Sequence, residues 1–262
     1  MTRQIPMLFS AAMMQAHLAG RKTETRRTMA PSNTYFNGGA WTKLDKAQTW
    51  DWNSAWVDPG PSPAGNPGPY LKLPWLAGDD DPFEDTVHRI YPKVQPGDLI
   101  WARESYRFHS IADLCKPSIM TPGSGIEFEA CGNRAGDLTV NGGFVLGKLR
   151  PGMFMPKWAS RLTLRVKEVG VERLQDISDA DARAEGIEQI GQTKGVPIWR
   201  NYQSDASLLE GGGLLMPTAS YHSLWNHING PGAWGANPWV VVTRYEPIWE
   251  NVLHLAGRSE DT

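Results

Sequence analysis

The stretch from Trp158 to Val171 limits the possible folds more than any other part of this chain. Within it Leu162, Leu164 and Val166 alternate with Thr163, Arg165 and Lys167, the period of a strand with one dry and one wet face. A strand over Trp158–Val171 must bury that dry face against another layer. Gly170 is placed for a bend or bulge, as a curved sheet requires. Three more apolar runs read as strands: Ile5–Phe9, Leu99–Glu104 after the turn Pro96-Gly97-Asp98, and Pro238–Tyr245.

The helices between them are few and short. Ser10 is an N-cap for a helix over Ala11–Ala19, which Gly20 ends. Ser178-Asp-Ala-Asp181 is a capping-box-like start for a helix reaching Glu185, stopped by Gly186. A third helix spans Ala219–Asn229, with Leu224, Trp225 and Ile228 expected to face inward. So few helices argue against a doubly wound sheet and for an α+β protein, a small barrel with flanking helices.

The 27 glycines and 20 prolines are distributed unevenly. They mark long irregular insertions at about 30–92, 106–156 and 190–217 in one domain spanning 1–250, followed by a tail, 251–262, expected to be mobile at its end. The first insertion holds Trp41, Trp50, Trp52, Trp56 and Trp75. Disordered segments are poor in aromatics, so these rings are expected to pack on the core, the alternative being a stacking surface for bases. A net charge of −2 excludes a protein that coats nucleic acid by bulk attraction. Cys115 and Cys131 are too few for a disulfide scaffold and lack metal-ligand spacing. With no leader-like segment and no apolar run near the roughly 18 residues of a membrane span, a cytoplasmic location and no membrane partner are expected.

The run Gly20-Arg21-Lys22-Thr23-Glu24-Thr25-Arg26-Arg27 places four cations within seven positions. As a local basic patch it suits phosphate oxygens; as an edge strand it is a solvated face. Lys22 and Thr25 would fall on opposite faces of a regular strand, and they share a pocket only if the chain turns at Gly20. A desolvated Lys crowded by arginines can serve as the base for a Thr nucleophile.

Preceded by an apolar strand and a short helix, Gly20–Arg26 resembles the signature of the ASCH family. Pro96-Gly97-Asp98 with Leu-Ile-Trp-Ala-Arg-Glu104 is similar to that family's second element, and Thr163–Val171 with Leu174–Ile187 to its third. The closing stretches Trp225–Asn229 and Asn237–Thr243 resemble long phage and prophage members. The pieces cover a little under half of the chain; the insertions match none of the family's elements. The resemblance implies a PUA-like β-barrel with a cleft for RNA or a nucleobase. In small members that deacetylate N-acetylcytidine, a Lys accepts the proton, a Thr attacks and a Glu donates a proton. Carried over by the resemblance, these are Lys22, Thr25 and Glu185. Arg21 and Arg26 are candidates for an oxyanion or phosphate contact, and Trp101 and Glu104 for the cleft wall; a core Trp and a Glu paired to a local Arg are equally good accounts of the last two. No metal or organic cofactor is implied. The expected partner is a modified nucleoside or RNA, and three activities stay open: amidohydrolase, non-catalytic binding module, and ribonuclease.

Overall fold

The computed structural model describes residues 2–29, 34–37, 40–43, 50–62, 65, 67–74, 87–122, 124–131, 145–204 and 213–258. Several features of the sequence lie outside them: Trp75, the side chain of Trp41, Pro63, Asp79–Pro82, Gly143-Phe144, Gly211-Gly212 and residues 259–262. The chain is α+β, mostly sheet with few helices. Its centre is a five-stranded sheet of β1 (Gln4–Leu8), β2 (Glu24–Thr28), β3 (Leu99–Arg103), β4 (Thr163–Arg173) and β5 (Trp239–Ile248). The strand order is β1-β3-β4-β5-β2. Only β1 and β3 run parallel; the other pairs are antiparallel.

β4 keeps most of its alternation: Leu162, Leu164 and Val166 are buried and Arg165 and Lys167 are exposed, but Thr163, expected on the wet face, is fully buried, with its hydroxyl donating to the Glu250 carbonyl at 2.7 Å. The irregularity in its pairing with β5 lies between Val166 and Glu168 and not at Gly170, whose partner is Val242 in regular register. Trp158 precedes the strand, in a short 3₁₀ turn.

The strands do not close into a barrel. β1 and β2 are the two free edges, which a flat sheet would hold about 19 Å apart at the usual strand spacing. Yet the Arg27 guanidinium on β2 donates to the Leu8 carbonyl on β1 and lies 5.6 Å from the Phe9 ring centroid. The sheet is therefore strongly curled, and a side chain spans the gap that a strand ladder would fill. One outer carbonyl of β2 is capped by side chains: the Glu24 carbonyl accepts from the Lys22 ammonium at 2.8 Å and from the Tyr245 hydroxyl at 3.3 Å.

Helix α1 (Ala11–Leu18) links the two edges, with Ser10 accepting from the Met13 amide. Helix α2 (Asp179–Ala184) opens with a full capping box between Ser178 and Asp181. Helix α3 (Pro217–Asn229) buries Tyr221, Leu224 and Trp225 but leaves Ile228 46% exposed, against the inward position its spacing suggested. The tail is helical over Val252–Arg258, α4, and Val252 packs on Leu99 and Trp101. The 190–217 segment is also more regular than its composition suggests. Gln189–Thr193 and Val196–Arg200 form a hairpin whose two turn residues, Lys194 and Gly195, have positive φ, and Gly213–Leu214 adds a third short strand. In the first insertion Trp50 is buried and Trp52 packs beside it, whereas Trp56 is exposed.

Candidate active site

The end of α1 aims Lys22. Gly20, at φ +69, turns the chain, and the amides of Arg21 and Lys22 both donate to the Ala16 carbonyl. The Thr23 amide then donates to the Ala184 carbonyl at the end of α2, clamping the run against that helix. Gly186 makes the fit possible. Its φ is +91, and a Cβ there would lie 2.9 Å from the Cβ atoms of Lys22 and Ala16. Only glycine satisfies both the left-handed backbone and the close approach.

Lys22 is fully buried, and all three of its N–H groups are engaged. They reach the Glu24 carbonyl at 2.8 Å, the Glu185 carbonyl at 2.8 Å and Glu185 Oε2 at 2.7 Å. Burial pulls the Lys22 pKa below its ordinary value, and the Glu185 charge opposes that pull. The other Glu185 oxygen accepts from the Tyr221 hydroxyl at 3.3 Å and from Arg26 Nη1 at 3.4 Å. Burial, then the Glu185 charge, pushes the Tyr221 hydroxyl well above its usual range, so Tyr221 stays a neutral donor.

Arg26 extends the network to Glu24, to Glu172 at 2.8 Å and to Asp181 at 3.6 Å. Glu24 is held on its second oxygen by Arg244 Nε at 2.6 Å, and Arg244 also reaches Glu168 and Asp181. Burial raises the Glu24 pKa, and Arg26 and Arg244 pull it back. The run is thus no exposed phosphate-binding face, because Lys22 and Arg26 point inward and are neutralised by carboxylates. Sequence spacing suggested a patch because Glu172, Asp181 and Glu185 lie roughly 150 residues away along the chain.

A cavity of about 270 Å³ opens beside this network between β2, α1 and α3. Glu185, Arg26, Arg27, Tyr221, Trp225 and Met13 are among its walls. The other expected residues are placed differently. Thr25 is buried and pairs with Thr243, so strand alternation turns it away from the face carrying Glu24 and Arg26. Its hydroxyl is not among the three acceptors of Lys22. Arg21 lines a separate polar cavity of about 400 Å³, with Gly186, Arg200, Tyr202 and His227. Trp101 is buried against Leu99 and Val252, under the Arg103 guanidinium at 5.3 Å. Glu104 makes a two-pronged pair with Arg161, 2.9 Å at each oxygen, and burial raises its pKa. Neither Trp101 nor Glu104 lines the cavity beside Glu185.

The structure brings together Lys22, Glu185 and Arg26 with Arg27 of the same run, and adds Tyr221, Trp225 and Arg244, to which the sequence reading assigned no part in the site. Tyr221 and Trp225 carried one usable signal, a spacing of four on a helix that puts both rings on one face. Arg244 carried none. No family model, curated protein or solved structure matches this chain. Among the described residues no group of three or more His, Cys, Asp or Glu is placed to hold a metal ion, and no helix is long and apolar enough to cross a membrane.

Proposed function

We propose that this chain is an ASCH-type, PUA-like protein that hydrolyses the amide of an N-acylated cytidine or a similar modified nucleoside. The carrying observation is the buried contact of Lys22 Nζ with Glu185 Oε2, 2.7 Å, beside a cavity of about 270 Å³. A Lys–Glu pair in a dry site can shift its proton from amine to carboxylate with no change in total charge. That shift yields a neutral amine as base and a protonated carboxyl as acid. Lys22 then takes the Thr25 proton while Thr25 Oγ bonds to the acyl carbon, and the C–N bond breaks as Glu185 protonates the leaving nitrogen. Water attacks the resulting ester and returns its proton to Glu185, and Lys22 restores the Thr25 hydroxyl. Thr25 must turn toward the pair for this step.

Incubation with N-acetylcytidine tests the proposal. Wild type releases cytidine and acetate, and Thr25→Ala and Lys22→Met release neither; no release by wild type removes the hydrolase for that substrate. A binding module without turnover is favoured by one observation, that every Lys22 N–H is already engaged and none faces Thr25. In that case cytidine derivatives bind, Thr25→Ala binds as wild type does, and no bond is cut.

A further inference from the structure

Strand alternation gives Thr25 a cavity on its own face of the sheet. In the register of β2 with β5, Thr25 opposes Thr243 and Arg27 opposes Val241. Directly opposed residues of an antiparallel pair share a face, and so do residues two apart on one strand, so these four side chains leave the same side. Three of them, Arg27, Val241 and Thr243, stand in the wall of a second cavity of about 210 Å³. Met7 of β1, Ile90 and Val94 also line it, and the wall is mainly apolar. Ile90 and Val94 are buried, and Val241 packs with the core. Native interiors keep few voids larger than a water molecule, and an apolar space of this size takes an apolar occupant more readily than water. Arg27 lines this cavity and the one beside Glu185, so the two meet at the side chain that bridges β2 and β1.

We infer that this second cavity is the acyl-chain subsite, and that the acyl group it takes is an aliphatic chain longer than acetyl. The inference rests on the amide-hydrolase reading, in which Thr25 bonds to the acyl carbon. An acyl carbon at Thr25 carries its alkyl chain along the face that Thr25 shares with Thr243 and Val241, and that face borders the second cavity. The polar nucleoside then occupies the cavity beside Glu185, between walls that include Tyr221 and Trp225, and the amide crosses from one space to the other at Arg27. At the roughly 30 Å³ that a water takes in the liquid, 210 Å³ holds about seven heavy atoms, far more than the methyl of an acetyl group. The chain length is therefore set by apolar burial in this subsite, separately from the chemistry at Lys22 and Glu185.

Steady-state cleavage of N-acetylcytidine and N-butanoylcytidine by the full chain tests the inference. The quantity read is the ratio of their kcat/KM values, which a misfolded fraction does not alter. Wild type is expected to favour the butanoyl substrate about tenfold, the gain for two more buried methylenes. Val241→Phe fills the subsite from β5 and is expected to bring the ratio to about one. Thermal melts report whether Val241→Phe folds, and if it does not, Ile90→Phe fills the same space from another segment. A wild-type ratio near one, or a tenfold ratio that survives in the folded variant, overturns the subsite and leaves the hydrolase standing. If wild type cleaves neither compound, calorimetry decides. N-butanoylcytidine bound about tenfold more tightly than N-acetylcytidine, with the gain lost in the variant, keeps the subsite and removes the hydrolase. Equal binding of the two compounds by such a wild type, or binding of neither, overturns both.

Discussion

Among the buried carboxylates that sit against cations, Glu104 and Glu185 teach opposite lessons. Glu104 is gripped by both prongs of Arg161, which is itself partly exposed and stacked on Phe128 at 4.1 Å. Glu185 is held by Lys22, Arg26 and Tyr221 at the wall of a cavity. Burial is alike in the two places; the difference is in the cation and the space. An arginine does not surrender its proton in a protein, so the Glu104–Arg161 pair can only tie the end of β3 to the start of β4. A desolvated lysine can, and the cavity admits a molecule to receive the consequences.

The largest expected break between the two regions comes from Lys22→Met. It leaves Glu185 buried with one cation fewer, and loss of one member of such a pair costs about 3–5 kcal/mol of stability. Urea unfolding measures it; a loss below about 1 kcal/mol would show that Arg26 and Tyr221 satisfy Glu185 unaided.

His17 sharpens the contrast at the next level, because it packs behind Lys22, edge-on to Phe9 and 3.5 Å from the Tyr245 hydroxyl. Burial, then the Lys22 charge, pulls its pKa from 6.5 to about 3. The unfolded chain therefore binds this proton near pH 6.5 and the folded chain only near pH 3, so stability falls as pH drops through that window. Between roughly pH 6.5 and 4.5 this single group removes about 2–3 kcal/mol. His17→Phe, which keeps the ring contacts, flattens that part of the stability profile measured by urea unfolding; an unchanged slope would mean that His17 is not held neutral.

The smallest effect falls on the other region. Glu104→Gln keeps one hydrogen bond to a partly solvated Arg161 and costs about 1–2 kcal/mol. Cleavage of N-acetylcytidine is expected to match wild type. A drop would place Glu104 in the site's chemistry.

Much of the local architecture was legible in the sequence. The alternation of Leu162, Leu164 and Val166, the cap at Ser10, the box from Ser178 to Asp181 and the stop at Gly186 all depend on interactions within a few residues, and each appears as expected, apart from the buried Thr163. The hairpin closed by Lys194-Gly195 was readable in principle, since a two-residue turn with glycine second is a strong local signal, but the surrounding loop composition hid it. The free edges of the sheet were not legible, because a carbonyl satisfied by a lysine looks the same in sequence as one satisfied by a strand.

The run from Gly20 to Arg27 shows where sequence stops and tertiary structure begins. By itself the sequence determined that a helix ends at Gly20 and that four cations crowd the junction, and it left the edge strand that follows as one of two readings. Only the folded chain decided that Lys22 and Arg26 turn inward to Glu185, Glu172 and Asp181, and that Thr25 goes to the other face. The reason is that a charge can leave water only where countercharges and acceptors converge on it. Here those partners arrive from β4, α2, α3 and β5, brought together by the curl of one sheet.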